Sequence, residues 1–250
     1  MSVGLAMAII GFVLLAATIQ RVAGLGFGMV FAPYAVVLIG AHEGIMLANF
    51  LGIVVPVLVL PRVWSQIQWG RVLWLGVPAV AVMPLGAWLA AVSSPGPLYI
   101  VVASLVLLSL SISVVLSRIS AQMDGRALQA ATGVGSGLGT VLGGVGGPAV
   151  TVYAVLSRWS VLPMVATLQP LWIGISAASF GSKWVLDGGQ MPDMPWWAWA
   201  GSTAAIIAGV YVGEWCQKRV RERSVRRLVL LLAFLGALLA LGMGVRLIIG

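Results

Sequence analysis

The sequence predicts an all-α integral membrane protein, a polytopic helical bundle of about 8–10 membrane segments. Hydrophobic residues make up 61% of the 250 residues and charged residues only 8%, which is not the composition of a soluble domain. Apolar runs of membrane-crossing length recur along the whole chain, and no polar stretch between them is long enough to fold on its own. We therefore expect residues 1–250 to form a single transmembrane domain.

The apolar runs between loop signals divide the chain into about ten segments. They lie at 3–20, 24–40, 44–60, 72–91, 98–116, 128–142, 146–157, 161–181, 196–213 and 228–249. The first run lacks a basic n-region and is not followed by a small-residue cleavage site, so we expect a membrane helix rather than a signal peptide. The tryptophans of MPWWAWA, before and at the start of the ninth segment, are typical of an interfacial belt.

The positive charges are concentrated in one loop. Six of the 14 Lys and Arg residues lie in EWCQKRVRERSVRR, residues 214–227, between two apolar runs. This pattern is typical of a cytoplasmic loop in a protein of the cell membrane. It accounts for the net charge of +8 without a nucleic-acid partner, and a contact with anionic lipid is the alternative. The only cysteine, Cys216, excludes an intrachain disulfide and a cysteine metal site, and no cofactor or metal is expected.

The remaining basic residues constrain the topology of residues 128–157. Arg62 and Arg71 mark one loop, and Arg118 and Arg126 mark a second. The positive-inside pattern puts both loops on the same side as the large basic loop. Residues 128–157 must then cross the membrane an even number of times, because one unbroken helix would place six positive charges outside.

The stretch VLGGVGGPAVTVY, residues 141–153, offers the break that this topology requires. Pro148 has no N–H to donate and disfavours helical geometry at Gly147, so two short helices or a re-entrant hairpin are expected. Broken backbone is tolerated in a membrane only where protein buries it or where it lines a watery cavity. Gly135 and Gly139, four residues apart, also fit close helix packing, which is the alternative for these two.

The two halves of the chain repeat one pattern. RVAGLGFGMVFAPYAVVL in the first half and GSGLGTVLGGVGGPAVTVYAVL in the second each contain a glycine cluster, a proline and an apolar run. Each half has about five segments, and an odd number turns the second copy upside down. We expect two inverted repeats with broken helices, at about residues 1–120 and 125–250. This architecture is typical of secondary transporters, and short helix N-termini suit an anionic substrate.

These motifs resemble the TauE/SafE sulfite exporter family. The resemblance is carried by GLGFGMVFAP and GGVGGPAVTVY, together with LANF and VATLQ downstream of them. It implies a permease for small sulfur-containing anions such as sulfite, sulfoacetate or other organosulfonates, in either direction across the cytoplasmic membrane. The chain departs from the family's frequent Ala-x-x-Thr-Ser pattern at Asn49, Thr167 and Gln169, which leaves the substrate open.

Two other classes of function remain as alternatives. An anion channel or a membrane scaffold would have the same composition. An enzyme is not expected, because acid–base or metal chemistry needs more titratable groups than one His, one Cys and six acids supply.

The residues expected to bind substrate combine the glycine clusters with polar side chains in or next to apolar runs. A guanidinium at the end of the first segment can bind two oxygens of an oxyanion, or it can anchor the helix at the membrane surface. A polar side chain inside an apolar run must find a substrate oxygen or a neighbouring helix. The expected set is Gln20, Arg21, Gly24, Gly26, Gly28, Asn49, Gly144, Gly146, Gly147, Pro148, Thr167 and Gln169.

The coupling mechanism has one sequence candidate. His42 and Glu43 are adjacent in a short turn between two segments, where a histidine that titrates near neutral pH can couple proton movement to transport. A solvated pair at the membrane surface is the alternative. The sequence leaves open whether protons or sodium ions are coupled and whether the protein forms a homodimer.

Overall fold

The computed structural model describes residues 1–23, 27–116, 122–186, 191–217, 219 and 222–249. Within them the chain forms ten α-helices and a 3-10 turn at Trp64–Gln66, and no strand. The helices are α1 Val3–Ala23, α2 Phe27–Ile39, α3 Ala41–Val63, α4 Trp69–Val92, α5 Pro95–Leu116, α6 Arg126–Gly143, α7 Gly147–Leu156, α8 Val161–Leu186, α9 Trp196–Gln217 and α10 Glu222–Ile249. The expectation of an all-α bundle is confirmed.

The helices differ in their ability to cross a membrane. Among the described residues, five are long and apolar enough, namely α1, α3, α4, α8 and α10. Helix α2 has 13 residues and α7 has 10, fewer than the roughly 20 that a crossing takes. Most predicted segments agree with the observed helices to within a few residues, but α8 runs on to Leu186 and includes Lys183.

The helices are arranged around α3 and α8, which pack against each other in opposite directions. Asn49 of α3 lies beside Ser179 of α8, and Gly52 lies beside Ser176. Helix α1 packs on α9, α4 packs on α6 and α8, and α5 packs on α10. Three clusters of buried aliphatic and aromatic side chains fill the space between these pairs.

Glycines allow α6 to approach α4 closely. A Cβ added to Gly137 of α6 would lie 2.8 Å from Ala79 Cα and 2.9 Å from Ala79 C in α4. Gly133, one turn earlier, would meet the backbone of Leu75 in the same way. Glycines four residues apart therefore do pack α6 on α4. The glycines at this contact are Gly133 and Gly137, whereas the sequence had suggested Gly135 and Gly139. Gly135 instead faces Ala149 of α7.

Two ion-pair clusters lie at one end of the bundle, which we call the basic end. Arg21 and Arg62, near the ends of α1 and α3, both pair with Glu214 near the end of α9. Arg71, near the start of α4, pairs with Asp124 just before α6 at 2.9 Å. The loops after α3 and before α6 and the end of α9 therefore share one end of the bundle.

Helices α6 and α7 form a hairpin that leaves and returns to the basic end. The Met123 N–H, before α6, donates to the carbonyl of Leu156, the last residue of α7, at 2.8 Å. The Tyr153 hydroxyl of α7 donates to Asp124 Oδ1 at 2.7 Å, and Gln129 Nε2 donates to the Tyr153 hydroxyl oxygen at 3.0 Å. The start of α6 and the end of α7 are thus held together by a backbone hydrogen bond and by the bonds of the buried Tyr153 and Gln129 side chains with the exposed Asp124.

Candidate functional site

A cavity of about 50 Å³ lies where the first described residues of α2 and the first residues of α7 meet the middle of α3 and α8. Its wall combines glycines, small polar side chains and a few apolar side chains. The lining residues are Gln20, Phe27, Gly28, Met29, Ala48, Asn49, Gly52, Thr140, Gly144, Val145, Gly146, Gly147, Trp172 and Ser176. No charged side chain of the described residues is among them.

The backbone at the cavity is closely packed, and glycine is required there for two reasons. Gly144 has a φ of +67°, a left-handed conformation that favours glycine at the end of a helix. Its N–H donates to the Thr140 carbonyl at 2.9 Å, which ends α6. A Cβ added to Gly28 would overlap the Gly144 carbonyl oxygen, and one added to Gly146 would lie 2.8 Å from Ser136 Oγ.

The cavity is lined by the first described residues of α2 and by the N-terminal end of α7. Gly28 follows the first described residue of α2, and Gly147 is the first residue of α7. The first N–H groups of an α-helix have no partner within the helix and carry partial positive charge. The start of α7 therefore offers backbone donors and a favourable potential to an anion without a charged side chain.

Asn49 connects three helices at the wall of the cavity. It is 2% exposed, and its amide nitrogen donates to Ser179 Oγ of α8 at 2.7 Å and to the Thr140 carbonyl of α6 at 3.3 Å. Ser176, one turn from Ser179, also lines the cavity. Amides and hydroxyls of this kind can donate to substrate oxygens as well as to neighbouring helices.

The structure brings together half of the residues that the sequence selected for substrate binding. Those that line the cavity are Gln20, Gly28, Asn49, Gly144, Gly146 and Gly147. Pro148 is the second residue of α7, next to the lining glycine. Gly24 and Gly26 lie outside the described residues.

Three selected residues lie nearer the basic end. Arg21 donates from Nη2 to Glu214 Oε1 at 3.0 Å, and Arg21 and Gln169 line a second, smaller cavity of about 10 Å³. Thr167 Oγ1 accepts the backbone N–H of Gln68 at 2.9 Å, which ties α8 to the loop before α4. None of these three lines the larger cavity.

The candidate coupling pair lies away from both cavities. His42 and Glu43 are in the first turn of α3, at the end of that helix opposite Arg62. Glu43 is exposed and His42 is half-buried. They are separated from Asn49 by about two turns of α3.

Sequence reasoning did not select several residues that the structure places at or near the site. Thr140, Trp172 and Ser176 line the larger cavity. Lys183, two turns beyond Ser176 on α8, is 3% exposed. The sequence alone could have indicated Lys183, because a lysine within an apolar run usually faces the interior of a helix bundle and lies near a substrate or ion pathway.

The described part of the chain has ten helices, five of them long and apolar enough to span a bilayer, as expected for a multi-pass membrane protein. A model of the sulfite exporter TauE/SafE family matches residues 9–240. The chain belongs to this family of transporters, and the resemblance drawn from the glycine motifs is confirmed. Comparisons with curated proteins and with solved structures returned no match.

Proposed function

We propose that this protein is a secondary transporter that carries small sulfur-containing anions across the cell membrane by alternating access. Sulfite, sulfoacetate and other organosulfonates are the candidate substrates. The observation that carries the proposal is that glycines of α2 and of the start of α7 line one cavity in a protein of an exporter family. The substrate binds there, held by the glycine segments of both halves.

The chemistry of the cavity suits a small oxyanion. Backbone N–H groups at the start of α7 and the side chains of Gln20 and Ser176 line it, and these groups can donate hydrogen bonds. Partial charges at helix ends stabilise an anion but do not bind it as tightly as a buried cation would. Such a site can release its ligand, which a carrier must do on each cycle.

The packing of the helices supports two related halves. Helix α1 packs on α9 as α6 packs on α4, and α2 packs on α10 as α7 packs on α5. If each helix of α1–α5 corresponds to the helix five places later, α3 corresponds to α8 and α5 to α10. These corresponding helices also pack on each other in the structure. Helix α1 ends at the basic end whereas α6 begins there. This is the relation that inverted repeats of about residues 1–120 and 125–250 would have.

The orientation follows from the charges. The basic end carries Arg21, Arg62 and Arg71, and α9 ends there at the start of the basic loop 214–227. The positive-inside rule places this end in the cytoplasm.

The test is counterflow of labelled sulfite in proteoliposomes, with sulfoacetate, thiosulfate and sulfate as competitors. Asn49→Ala should lower the exchange rate by about tenfold, because it leaves Ser179 and the Thr140 carbonyl without their partner at the wall of the cavity. Ser111→Ala is the matched control, since the Ser111 hydroxyl bonds only to the Leu107 carbonyl of its own helix among its described contacts. Flux that does not saturate and shows no counterflow would indicate a channel. No flux from correctly inserted protein would contradict the proposal.

A further inference from the structure

The smaller cavity lies directly between the larger cavity and the basic end. Gln20 lines both of them. Along the antiparallel α3–α8 pair, Asn49 and Gly52 lie at the level of the larger cavity. Val55 and Val59 line the smaller one, one to two turns nearer the basic end. The two cavities therefore follow each other along one helix interface.

Two arginines share one carboxylate oxygen at the basic end of this path. Arg21 donates to Glu214 Oε1 from Nε at 3.3 Å and from Nη2 at 3.0 Å, and Arg62 Nη1 donates to the same oxygen. The side chains are 22% exposed for Arg21, 46% for Arg62 and 30% for Glu214. One carboxylate cannot neutralise two guanidinium groups, so these three residues carry one positive charge in excess.

We propose that Arg21, Arg62 and Gln169 form a second anion subsite on the route between the central cavity and the basic end. The Glu214 carboxylate occupies the two guanidinium groups until a substrate anion replaces it. The inference rests on the proposed function in that its ligand is the same class of small sulfur oxyanion.

A substrate anion can replace the Glu214 carboxylate at the two guanidinium groups because both carry negatively charged oxygens. A carboxylate and a sulfite or sulfonate both present oxygens that match the guanidinium fork. Ion pairs between partly exposed side chains are worth only about 0–1 kcal/mol, so Glu214 can be displaced by a ligand of similar chemistry. Arg21 lines the cavity from which the ligand arrives.

Gln169 supplies an independent indication of a ligand. It is 3% exposed, and its amide nitrogen donates to the Val165 carbonyl at 2.8 Å. Its Oε1 is buried and has no hydrogen-bond partner among the described residues, although an unpaired buried acceptor is costly. A protonated oxyanion that enters the smaller cavity would donate its hydroxyl to this oxygen while its other oxygens face Arg21.

The experiment measures equilibrium binding of radiolabelled sulfite to the purified full-length protein. Glu214→Gln keeps the shape of the side chain and removes the competing charge, so the affinity should rise about fivefold. Arg62→Gln should lower it by a similar factor, and Arg62 is exposed enough to tolerate the change. Asp193→Asn, an exposed carboxylate before α9 and thus at the opposite end, is the matched control and should leave the affinity unchanged.

The same changes are made in an Asn49→Ala background, where binding in the central cavity is weakened. Opposite shifts for Glu214→Gln and Arg62→Gln in both backgrounds would support the subsite. Shifts below twofold for both variants, or no sulfite binding at all, would overturn it. If the variants shift binding but the wild-type protein shows no counterflow, the subsite stands and the proposed transport function fails.

Discussion

Gly133 and Gly137 of α6 lie against a helix, whereas the glycines at the end of the same helix lie against a cavity. At the first pair the neighbouring atoms are the backbone of α4, and the contact brings two rigid helices together. A Cβ added to Gly144 would meet the side chains of Ala32 and Ala48, one added to Gly146 would meet those of Ser136 and Thr140, and both glycines line the cavity. The same residue type thus packs two helices on one turn and lines a cavity two turns later.

This difference teaches that glycine spacing alone does not separate packing from function. Both sets contain glycines within a few positions of one another in the sequence. The two sets differ in the atoms that an added Cβ would meet and in whether the backbone at the glycine is helical. An alanine at each position therefore distinguishes the two roles.

The largest effect is expected at Gly28. An alanine there would push α2 away from the Gly144 carbonyl, and a displacement of about 1 Å at a binding site costs on the order of 100-fold in rate. Sulfite counterflow of Gly28→Ala in proteoliposomes should fall by that factor, whereas Tm should fall by no more than the roughly 2–10 °C expected for overpacking. Normal counterflow would show that the cavity glycines only pack, as Gly137 does.

A smaller effect with the opposite profile is expected at Gly137. Its new Cβ would lie within 3 Å of the Ala79 backbone, and overpacking of this kind costs about 1–3 kcal/mol. Gly137→Ala should lower Tm by roughly 2–10 °C, measured by thermal unfolding. Transport per folded molecule should stay within about twofold of wild type, since the variant acts on packing.

Gly174→Ala is the matched control, because an added Cβ at this position of α8 meets nothing within 4 Å. It should leave both Tm and counterflow unchanged. If Gly174→Ala lowers Tm as much as Gly137→Ala does, close contact between α4 and α6 is not the cause.

The smallest effect is expected at Asp124, which joins the start of α6 to the end of α7. The Tyr153 hydroxyl, by donating to Asp124 Oδ1, holds the pKa of this carboxyl below its usual value, and Gly125 N–H, Gln129 and Arg71 act in the same direction. A depressed pKa in the folded state contributes stability above the unfolded pKa of about 3.9, and this contribution is lost as pH falls through the folded value.

Asp124→Asn should therefore lower Tm by about 2 °C at pH 7. The difference from wild type should persist down to about pH 5 and disappear at pH values below the folded pKa of Asp124. Thermal unfolding of both proteins across this range measures it. A difference that does not depend on pH would show that the shape of the side chain, and not its charge, stabilises the hairpin.

The sequence was sufficient for the membrane class, the helix segments and the family. Composition and run length are properties of local sequence, and the glycine motifs were specific enough to identify TauE/SafE. The sequence also indicated Gln20, Gly28 and Asn49, which line the cavity. A polar residue in an apolar run needs a hydrogen-bond partner, and a glycine there often allows close packing.

The remaining site residues depend on contacts between distant segments. Arg21 and Arg62 meet Glu214, which follows Arg21 by 193 positions, and no local pattern indicates this pair. Similarly, Thr167 has the same polar character as Asn49, but its position on α8 directs it to the Gln68 backbone. Which of two polar residues faces a cavity depends on the crossing of α3 and α8.

The short length of α7 has an electrical consequence. Its 10 residues span about 15 Å from the cavity to the basic end, and the hydrocarbon layer is about 30 Å thick. An anion in the cavity therefore lies about halfway through the membrane. Moving one charge across the membrane takes or releases about 2.3 kcal/mol per 100 mV. About half of this work belongs to the step between one side of the membrane and the cavity, and half to the step between the cavity and the other side. If the basic end faces the cytoplasm, as we propose, a negative interior potential drives a net negative charge outward over both parts of this path.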